Sequence, residues 1–267
     1  MLPLEDWPVD ARRGLVGVFT DIDDTLTTEG AITTEALQAL ADLKSAGLHV
    51  VAITGRPVGW SLPFAATWPI DAIVPENGAM ALIAQADGTV AKRYQQDATT
   101  RATNHSRMQS VLQRIEREVP GAHRAQDSPG RECDIAIDHS EFTHLTGAQI
   151  TDVVALMRSE GMHATVSSIH VNGWYGEHDK LEGARWIVRA LWGRALDDEM
   201  DRWAYVGDST NDQTMFAAFA HSVGVANVAR FVPQLAHLPR YVTRGERGVG
   251  FSEVAQAILG SRAVRAR

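Results

Sequence analysis

The feature that most constrains the fold is a series of short apolar segments separated by helical ones. GLVGVF (14–19), LHVVAI (48–53) and DAIVP (71–75) have the length and composition of buried strands. Between the first two, TTEALQALADLKSAG (33–47) has apolar residues at helical spacing. The same alternation of helix and strand returns between residues 180 and 226. Because strands that alternate with helices form parallel sheets, these segments predict an α/β fold.

The middle of the chain follows a different pattern. LIAQADGTVAKRY (82–94) is typical of a hairpin, and two longer helical segments follow it. ECDIAID (132–138) and HATVSSIHV (163–171) each read as one strand. We therefore predict a Rossmann-like parallel-sheet core that is interrupted by an inserted α+β cap domain. The predicted division is core 1–81, cap 82–175 and core 176–267.

Composition and charge argue against several classes of partner. The formal net charge of −8 argues against nucleic acid or an anionic membrane as the main partner. No apolar run is long enough to span a membrane, and the first residues lack the apolar core of a signal peptide. The single cysteine, Cys133, cannot form an internal disulfide and alternates with apolar residues, so we expect it in the core. We predict a cytoplasmic protein.

Acidic residues follow two of the predicted strands. Asp21 and Asp23 come directly after the first strand, and Asp208 and Asp212 follow the strand RWAYV (202–206). Residues two apart in an extended chain point the same way, and the carboxyl ends of parallel strands meet at one edge of a sheet. So many like charges are tolerable if a dication lies among them. Carboxylates with few other ligands suit Mg²⁺, which we predict as the cofactor.

Groups that suit a phosphate follow at the same predicted edge. Thr54 and Gly55 end the second strand and precede a helix, whose free N–H groups favour an anion. Lys180 opens a later helix in HDKLEG. Together with the acids, these residues indicate a site for a hard cation and a phosphoryl group.

These residues, in this order, resemble the haloacid dehalogenase superfamily of phosphotransferases. DIDDT matches its first motif at Asp21, Asp23 and Thr25. ITGR supplies the threonine of the second motif, Lys180 the third, and GDSTND the fourth. The long gap between the second and third motifs, together with PENGA, resembles the Cof-type branch, which carries a large α/β cap there. Asp24 departs from that branch, which usually has a small residue at this position.

The resemblance implies a mechanism and a class of substrate. Asp21 would be the nucleophile that forms an aspartyl-phosphate, and Asp23 the general acid and base. Mg²⁺ would be held by Asp21, Asp208 and the backbone carbonyl of Asp23, with Asp212 holding a metal-bound water. Thr54 and Lys180 would bind the phosphoryl oxygens. Because the branch is rich in sugar-phosphate phosphatases, the expected activity is that of a phosphatase on a small phosphomonoester, in particular a phosphorylated sugar.

Substrate contacts beyond the phosphate are a weaker prediction. Polar residues near the phosphate loop, at the hinges or on the cap are the candidates, and surface positions explain them equally well: Arg56, Asn77, Arg131, Asn172 and Asn211. A second group, Asp138, His139, Glu141 and His144, fits no zinc spacing and is read as a polar strand end and loop.

Three other functions stay open. A phosphosugar mutase would share the core and the aspartyl-phosphate. A non-catalytic phosphate-binding scaffold would share the fold, although the intact Asp21, Asp23, Lys180 and Asp208 argue against it. A phosphorelay receiver also uses aspartates, a threonine and a lysine, but its acceptor aspartate lies on a later strand than its acidic pair and it needs no large cap.

Overall fold

The structure is a computed structural model that describes residues 1–263, and every element below lies in that range. The chain before the insertion forms strands β1 Leu2–Pro3, β2 Gly17–Thr20, β3 Thr27–Thr28, β4 Ala31–Ile32, β5 His49–Ile53, β6 Ala72–Val74, β7 Met80–Ala84 and β8 Val90–Tyr94, and helices α1 Val9–Arg13, α2 Thr34–Ser45 and α3 Val58–Ala65.

The inserted part and the returning chain supply the remaining elements. The insertion contains α4 Ala98–Glu118, β9 His123–Arg124, β10 Ile135–Asp138, α5 Gly147–Ser159, β11 His163–Val166 and β12 His170–Trp174. The returning chain contains α6 Lys180–Trp192, β13 Trp203–Gly207, α7 Gln213–Ala218, β14 His221–Gly224, β15 Tyr241–Val242 and α8 Arg247–Ala263.

The larger sheet has the order β1-β15-β14-β13-β2-β5-β6-β7-β8. Its strands are parallel from β1 to β6, and the hairpin β7–β8 adds an antiparallel edge. Side chains alternate between its faces, so Val18 packs with α2 and α8 while the neighbouring Phe19 packs with α6 and α7. This confirms the predicted α/β fold with a parallel-sheet core.

The smaller sheet is antiparallel, in the order β11-β12-β10-β9, and it buries a separate apolar cluster against α4 and α5. The prediction of a single strand over 163–171 is wrong, because this segment is a hairpin of β11 and β12. Ser167 closes its turn: the N–H donates to the carbonyl of His170 at 2.8 Å, and the hydroxyl accepts the N–H of His170 at 3.0 Å. Serine side chains commonly hold turns in this way.

The boundary of the insertion also differs from the sequence-based division. The hairpin β7–β8 pairs with β6 in the larger sheet, so a boundary at residue 82 cuts through a core element. Gln95 and Gln96 connect β8 to the first helix of the smaller unit. We therefore propose that the cap comprises residues 96–175 and that the core resumes at Gly176.

Among the described residues, no helix combines the length and apolarity that crossing a membrane would need.

The central strands bring distant segments together. β2 pairs with β13 on one side, with Thr20 opposite Val206, and with β5 on the other, with Thr20 opposite Ala52. The residues that follow these three strands therefore emerge side by side at one edge of the sheet, as parallel strands require.

Candidate active site

Three buried carboxylates lie together at this edge. Asp21 follows β2, Asp208 follows β13, and Asp212 ends a short 3-10 turn; one carboxylate oxygen of each lies within 4.8 Å of the others. Oδ2 of Asp212 accepts the N–H groups of Asp208 at 2.8 Å and of Ser209 at 3.0 Å. Gly207 permits this approach, because a Cβ there would lie 2.5 Å from the same oxygen.

Lys180 is the counter-charge of this cluster. It is the first residue of α6, whose start is capped by Asp179. Its Nζ donates to Oδ1 of Asp21 at 2.8 Å and to Oδ1 of Asp212 at 2.6 Å. Burial alone would lower the pKa of Lys180, but the two carboxylates raise it above its usual value, so the ammonium stays charged. Burial raises the pKa of Asp21 to about 7, and the charge of Lys180 limits that rise.

The cluster has the properties of a divalent-cation site. Oδ1 of Asp208 is buried and accepts no hydrogen bond within residues 1–263, while Oδ2 accepts from Nδ2 of Asn227 at 3.0 Å. Burial and the charges of Asp212 and Asp21 raise the pKa of Asp208 well above its usual value. A buried carboxylate oxygen without a donor, beside two further carboxylates, is costly for the protein alone and suits a hard cation.

Asp23 lies next to the cluster and is held by Arg56. Nε of Arg56 donates to both carboxylate oxygens of Asp23, at 2.9 and 3.0 Å. Burial raises the pKa of Asp23, and the charge of Arg56 opposes the rise. The side chain of Asp23 keeps 13% of its surface exposed, and it lies on the wall of a cavity of about 360 Å³. Asp23 can therefore exchange a proton with a molecule in that cavity.

The cavity lies where core and cap meet. Phe142 and Ile169 contribute an apolar wall from the cap, and Thr27 and Gly30 come from the hairpin of β3 and β4. Phe142 is 62% exposed, which is unusual for so large an apolar side chain. The apolar wall and the acidic floor together form a pocket that could hold the leaving group of an ester.

Thr54 and Gly55 form the loop between β5 and α3. Oγ1 of Thr54 accepts the N–H of Arg56 at 3.0 Å, and its own hydroxyl hydrogen has no acceptor within residues 1–263. The carbonyl of Gly55 accepts from Arg131 at 3.1 Å and from Asn172 at 3.4 Å, and both of these residues belong to the cap. Two cap side chains therefore form hydrogen bonds with the predicted phosphate loop.

The candidate substrate residues lie in different places. Arg56 lines the cavity. Arg131 and Asn172 are buried beside Gly55, and both donate to Asp134 at 2.8 Å. Asn211 accepts from the hydroxyl of Ser209 at 2.9 Å, within its own turn.

Asn77 differs from the other candidates. It is 2% exposed, has φ +53°, and neither side-chain amide atom has a hydrogen-bond partner among the described residues. Both amide atoms lie close to Gly55, at 3.5 Å from the position that a Cβ on that glycine would occupy. Asn77 therefore stays a candidate contact for a ligand beside the phosphate loop.

The second acidic and histidine group does not form a metal site in the described part of the chain. Instead, the carboxylate of Asp138 accepts the backbone N–H groups of four successive residues, 140 to 143. Cys133 is buried, in agreement with its predicted place in the core.

Several residues of the site were not identified from the sequence. Asp24, at φ +54°, forms ion pairs with Arg230 at 3.1 Å and Arg247 at 3.0 Å, so its charge is balanced. Asn227 follows β14, and the strand-end argument that found the acids could have found it as well. The hydroxyl of Tyr205 donates to Asp212 from inside β13, where the sequence gives no functional signal.

Known proteins are similar to this chain in sequence. A family model described as haloacid dehalogenase-like hydrolase matches residues 18–116. A phosphoglycolate phosphatase of Pyrobaculum neutrophilum is 26% identical over 250 residues, which cover 91% of this chain and 95% of the relative. The predicted resemblance to haloacid dehalogenase-like hydrolases is thereby confirmed.

Solved structures share the fold across nearly the whole chain. A Thermoplasma acidophilum protein has a TM-score of 0.69 at 16% identity and covers 92% of this chain and 99% of its own. The sucrose-phosphatase of Synechocystis, solved with sucrose and phosphate, has a TM-score of 0.64 at 14% identity and covers 92% and 98%. A sugar phosphatase of subclass IIB has a TM-score of 0.61 at 16% identity and covers 92% and 99%. At these identities the likeness concerns the fold alone.

Proposed function

We propose that this chain is a Mg²⁺-dependent phosphomonoester hydrolase that acts on a small phosphorylated metabolite through an aspartyl-phosphate. The observation that carries the proposal is the buried arrangement of Asp21, Lys180, Asp208 and Asp212, with Asp23 beside it on a cavity wall. This arrangement combines a nucleophile, a cation, a set of metal ligands and a proton donor at one edge of the sheet. The family match and the phosphatase relative support the enzyme class.

The residues divide the reaction into two steps. Lys180 occupies Oδ1 of Asp21, and no group within residues 1–263 donates to Oδ2, so Oδ2 is the attacking oxygen. It forms a bond to phosphorus while the bond to the leaving oxygen breaks, and Asp23 gives that oxygen a proton. Asp23 then takes a proton from the water that cleaves the aspartyl-phosphate. Thr54, Gly55 and Lys180 bind the other phosphoryl oxygens, Lys180 as a point charge.

The carboxylates differ in how they would hold Mg²⁺. Asp208 has a free buried oxygen and suits direct ligation, together with Asp21 and the backbone carbonyl of Asp23. Both oxygens of Asp212 already accept hydrogen bonds, so this residue suits contact through a metal-bound water. The ion, when bound, neutralises negative charge that develops on the phosphoryl oxygens.

A phosphorylated sugar is the substrate class that we propose first. The cavity of about 360 Å³ lies at the lower end of the volumes of small-molecule sites, and its hydrogen-bonding lining suits hydroxyl groups. The name of the archaeal relative favours phosphoglycolate as a second candidate. We propose a cytoplasmic location, as for other chains without a disulfide.

A metal-dependent screen against a panel of phosphomonoesters tests this function. The panel should include hexose phosphates, 2-phosphoglycolate and p-nitrophenyl phosphate, each with Mg²⁺ and with chelator. We expect phosphate release that vanishes with chelator and returns with Mg²⁺. A parallel assay for sugar-phosphate isomerisation with a bisphosphate activator distinguishes a mutase. Release of no phosphate from any ester would contradict the proposal.

A further inference from the structure

Arg56 is the link between the catalytic edge of the core and the cap. Its guanidinium contacts Asp23 of the core and, at the same time, two cap carboxylates. Nη2 lies 2.9 Å from Oε1 of Glu141, and Nη1 lies 3.6 Å from Oδ2 of Asp127. The side chain of Arg56 is only 6% exposed and also lies over the ring of Trp60, at 5.0 Å from its centre.

Glu141 lines the cavity, and its carboxylate contacts Arg56. Oε1 accepts from Arg56, and Oε2 lies 3.0 Å from Nε2 of His170. Burial acts to raise the pKa of Glu141, but the contact with His170 and the charge of Arg56 outweigh it and lower the pKa to about 2. Glu141 is therefore ionised, and both of its oxygens are occupied by protein groups.

The loop that carries Glu141 is held in place by hydrogen bonds within the protein. Oδ1 of Asp138 accepts the N–H groups of Ser140 and Glu141, at 3.1 and 2.9 Å, and Oδ2 accepts those of the next two residues at 2.8 and 3.0 Å. The hydroxyl of Ser140 donates to the carbonyl of Ser168 at 2.7 Å, which ties this loop to the β11–β12 turn. A carboxylate that accepts four backbone N–H groups fixes its loop firmly.

We propose that Glu141 is a positioning residue, which holds Arg56 so that the carboxylate of Asp23 is oriented toward the leaving oxygen in the cavity. Arginine loses considerable rotamer entropy when it is fixed, and the contact with Glu141 supplies a second anchor opposite Asp23. Because Glu141 lies in the proposed cap, this contact ties the orientation of Asp23 to the position of the cap. This inference rests on the proposed function.

A comparison of two leaving groups distinguishes a residue that positions a general acid from a residue with only a structural role. Phenol is a poorer leaving group than p-nitrophenol. The release of phenol from phenyl phosphate therefore depends more on the proton of Asp23 than the release of p-nitrophenol from p-nitrophenyl phosphate. The experiment measures release of each alcohol in the first turnover by rapid mixing, with enzyme in excess and Mg²⁺ present. First-turnover rates report formation of the aspartyl-phosphate and exclude its later hydrolysis, in which Asp23 has another role.

For Glu141→Gln we expect first-turnover release of phenol to slow about tenfold or more, a part of the roughly 10²–10⁴-fold that a general acid supplies. Release of p-nitrophenol should stay within about twofold of the wild type. The matched control is Glu116→Gln, which removes another cap carboxylate. Glu116 contacts Arg124 at 2.7 and 2.8 Å, and it lies far from Asp23 in the sequence and on the outside of the cap. It should change neither rate.

A double-mutant cycle tests whether Glu141 acts through Arg56. Arg56→Lys keeps the charge but cannot contact Asp23 and Glu141 with one planar group, so it should show the same selective loss. Adding Glu141→Gln to Arg56→Lys should then cost nothing further. Equal losses with both esters, or losses that multiply in the double variant, would overturn the assignment. A wild type that releases neither alcohol would instead overturn the proposed function on which it rests.

Discussion

Replacing Asp208 by asparagine should stabilise the metal-free protein while it removes metal binding. Asp208 is fully buried, and one oxygen lies within 4.8 Å of a carboxylate oxygen of Asp21 and of Asp212. Lys180 contacts the other two acids, but no hydrogen bond joins it to Asp208. The variant keeps an oxygen that can accept from Asn227, so it removes charge while it preserves shape.

The expected gain in stability can be estimated from the distances between these carboxylates. At an effective dielectric constant of about 20, two unit charges 4.8 Å apart repel by roughly 3.5 kcal/mol. The charge of Lys180, the approach of Arg230 to 3.5 Å from Oδ2 of Asp208, and the raised pKa of Asp208 offset part of this repulsion. We expect the metal-free variant to gain about 1–3 kcal/mol in the free energy of unfolding. At about 2–4 °C per kcal/mol for a chain of this size, its Tm should rise by roughly 2–12 °C.

Thermal unfolding in chelator and in saturating Mg²⁺ measures both effects. The wild type should gain about 2.7 kcal/mol when Mg²⁺ is present at a hundred times its Kd, and the variant should gain little. Asp152→Asn, at an exposed position on α5, is the matched control and should change neither value. A variant that is less stable than the wild type in chelator, or that keeps the full response to Mg²⁺, would refute the reasoning.

Four further results are expected. Asp21→Asn should abolish turnover of every ester, because an amide cannot form the aspartyl-phosphate, whereas Asp23→Asn should keep a burst of p-nitrophenol followed by slow hydrolysis; loss of that burst would contradict the role of Asp23. Calcium should inhibit in a steady-state assay, since its larger coordination shell can engage both oxygens of Asp21; activity at the Mg²⁺ level would argue otherwise. The lowered pKa of Glu141 contributes stability above about pH 4.5 that is lost as pH falls toward 2, so chemical denaturation should show wild type and Glu141→Gln converging in acid. Burial raises the pKa of the Cys133 thiol, so a thiol reagent should label it only after unfolding; fast labelling of the native protein would show that the thiol is accessible.

The core and its candidate catalytic groups could be predicted from the sequence because they follow from local rules. Buried strands show as apolar runs, and Asp21, Thr54 and Asp208 each lie directly after a strand. Once the strands are assumed to be parallel, no further information is needed to place these residues at one edge. The same reasoning reaches Lys180, because the first residue of a helix that returns to the sheet lies at that edge too.

The errors of the sequence-based prediction concern contacts between residues that are far apart in the sequence. Whether a hairpin joins one sheet or another depends on its partner strand, so the sequence of 82–94 predicts a hairpin but not its place beside β6. The turn at Ser167 divides an apolar run that is compatible with one long strand, and only the pairing of β11 with β12 decides between them. Contacts such as that between Arg56 and Glu141 join residues 85 positions apart, and no periodicity reports them.

Core and cap contribute to the candidate site in different ways. The core presents its candidate groups directly after strands. The cap reaches the same site through side chains and loops that contact the phosphate loop itself: Arg131 and Asn172 hold the carbonyl of Gly55, and Glu141 holds Arg56. A rotation of the cap away from the core would therefore break contacts that fix the phosphate loop as well as those that fix Asp23. Arg131, Asn172 and Glu141 therefore join the proposed cap to the loop and the acid that we propose bind phosphate and transfer the proton.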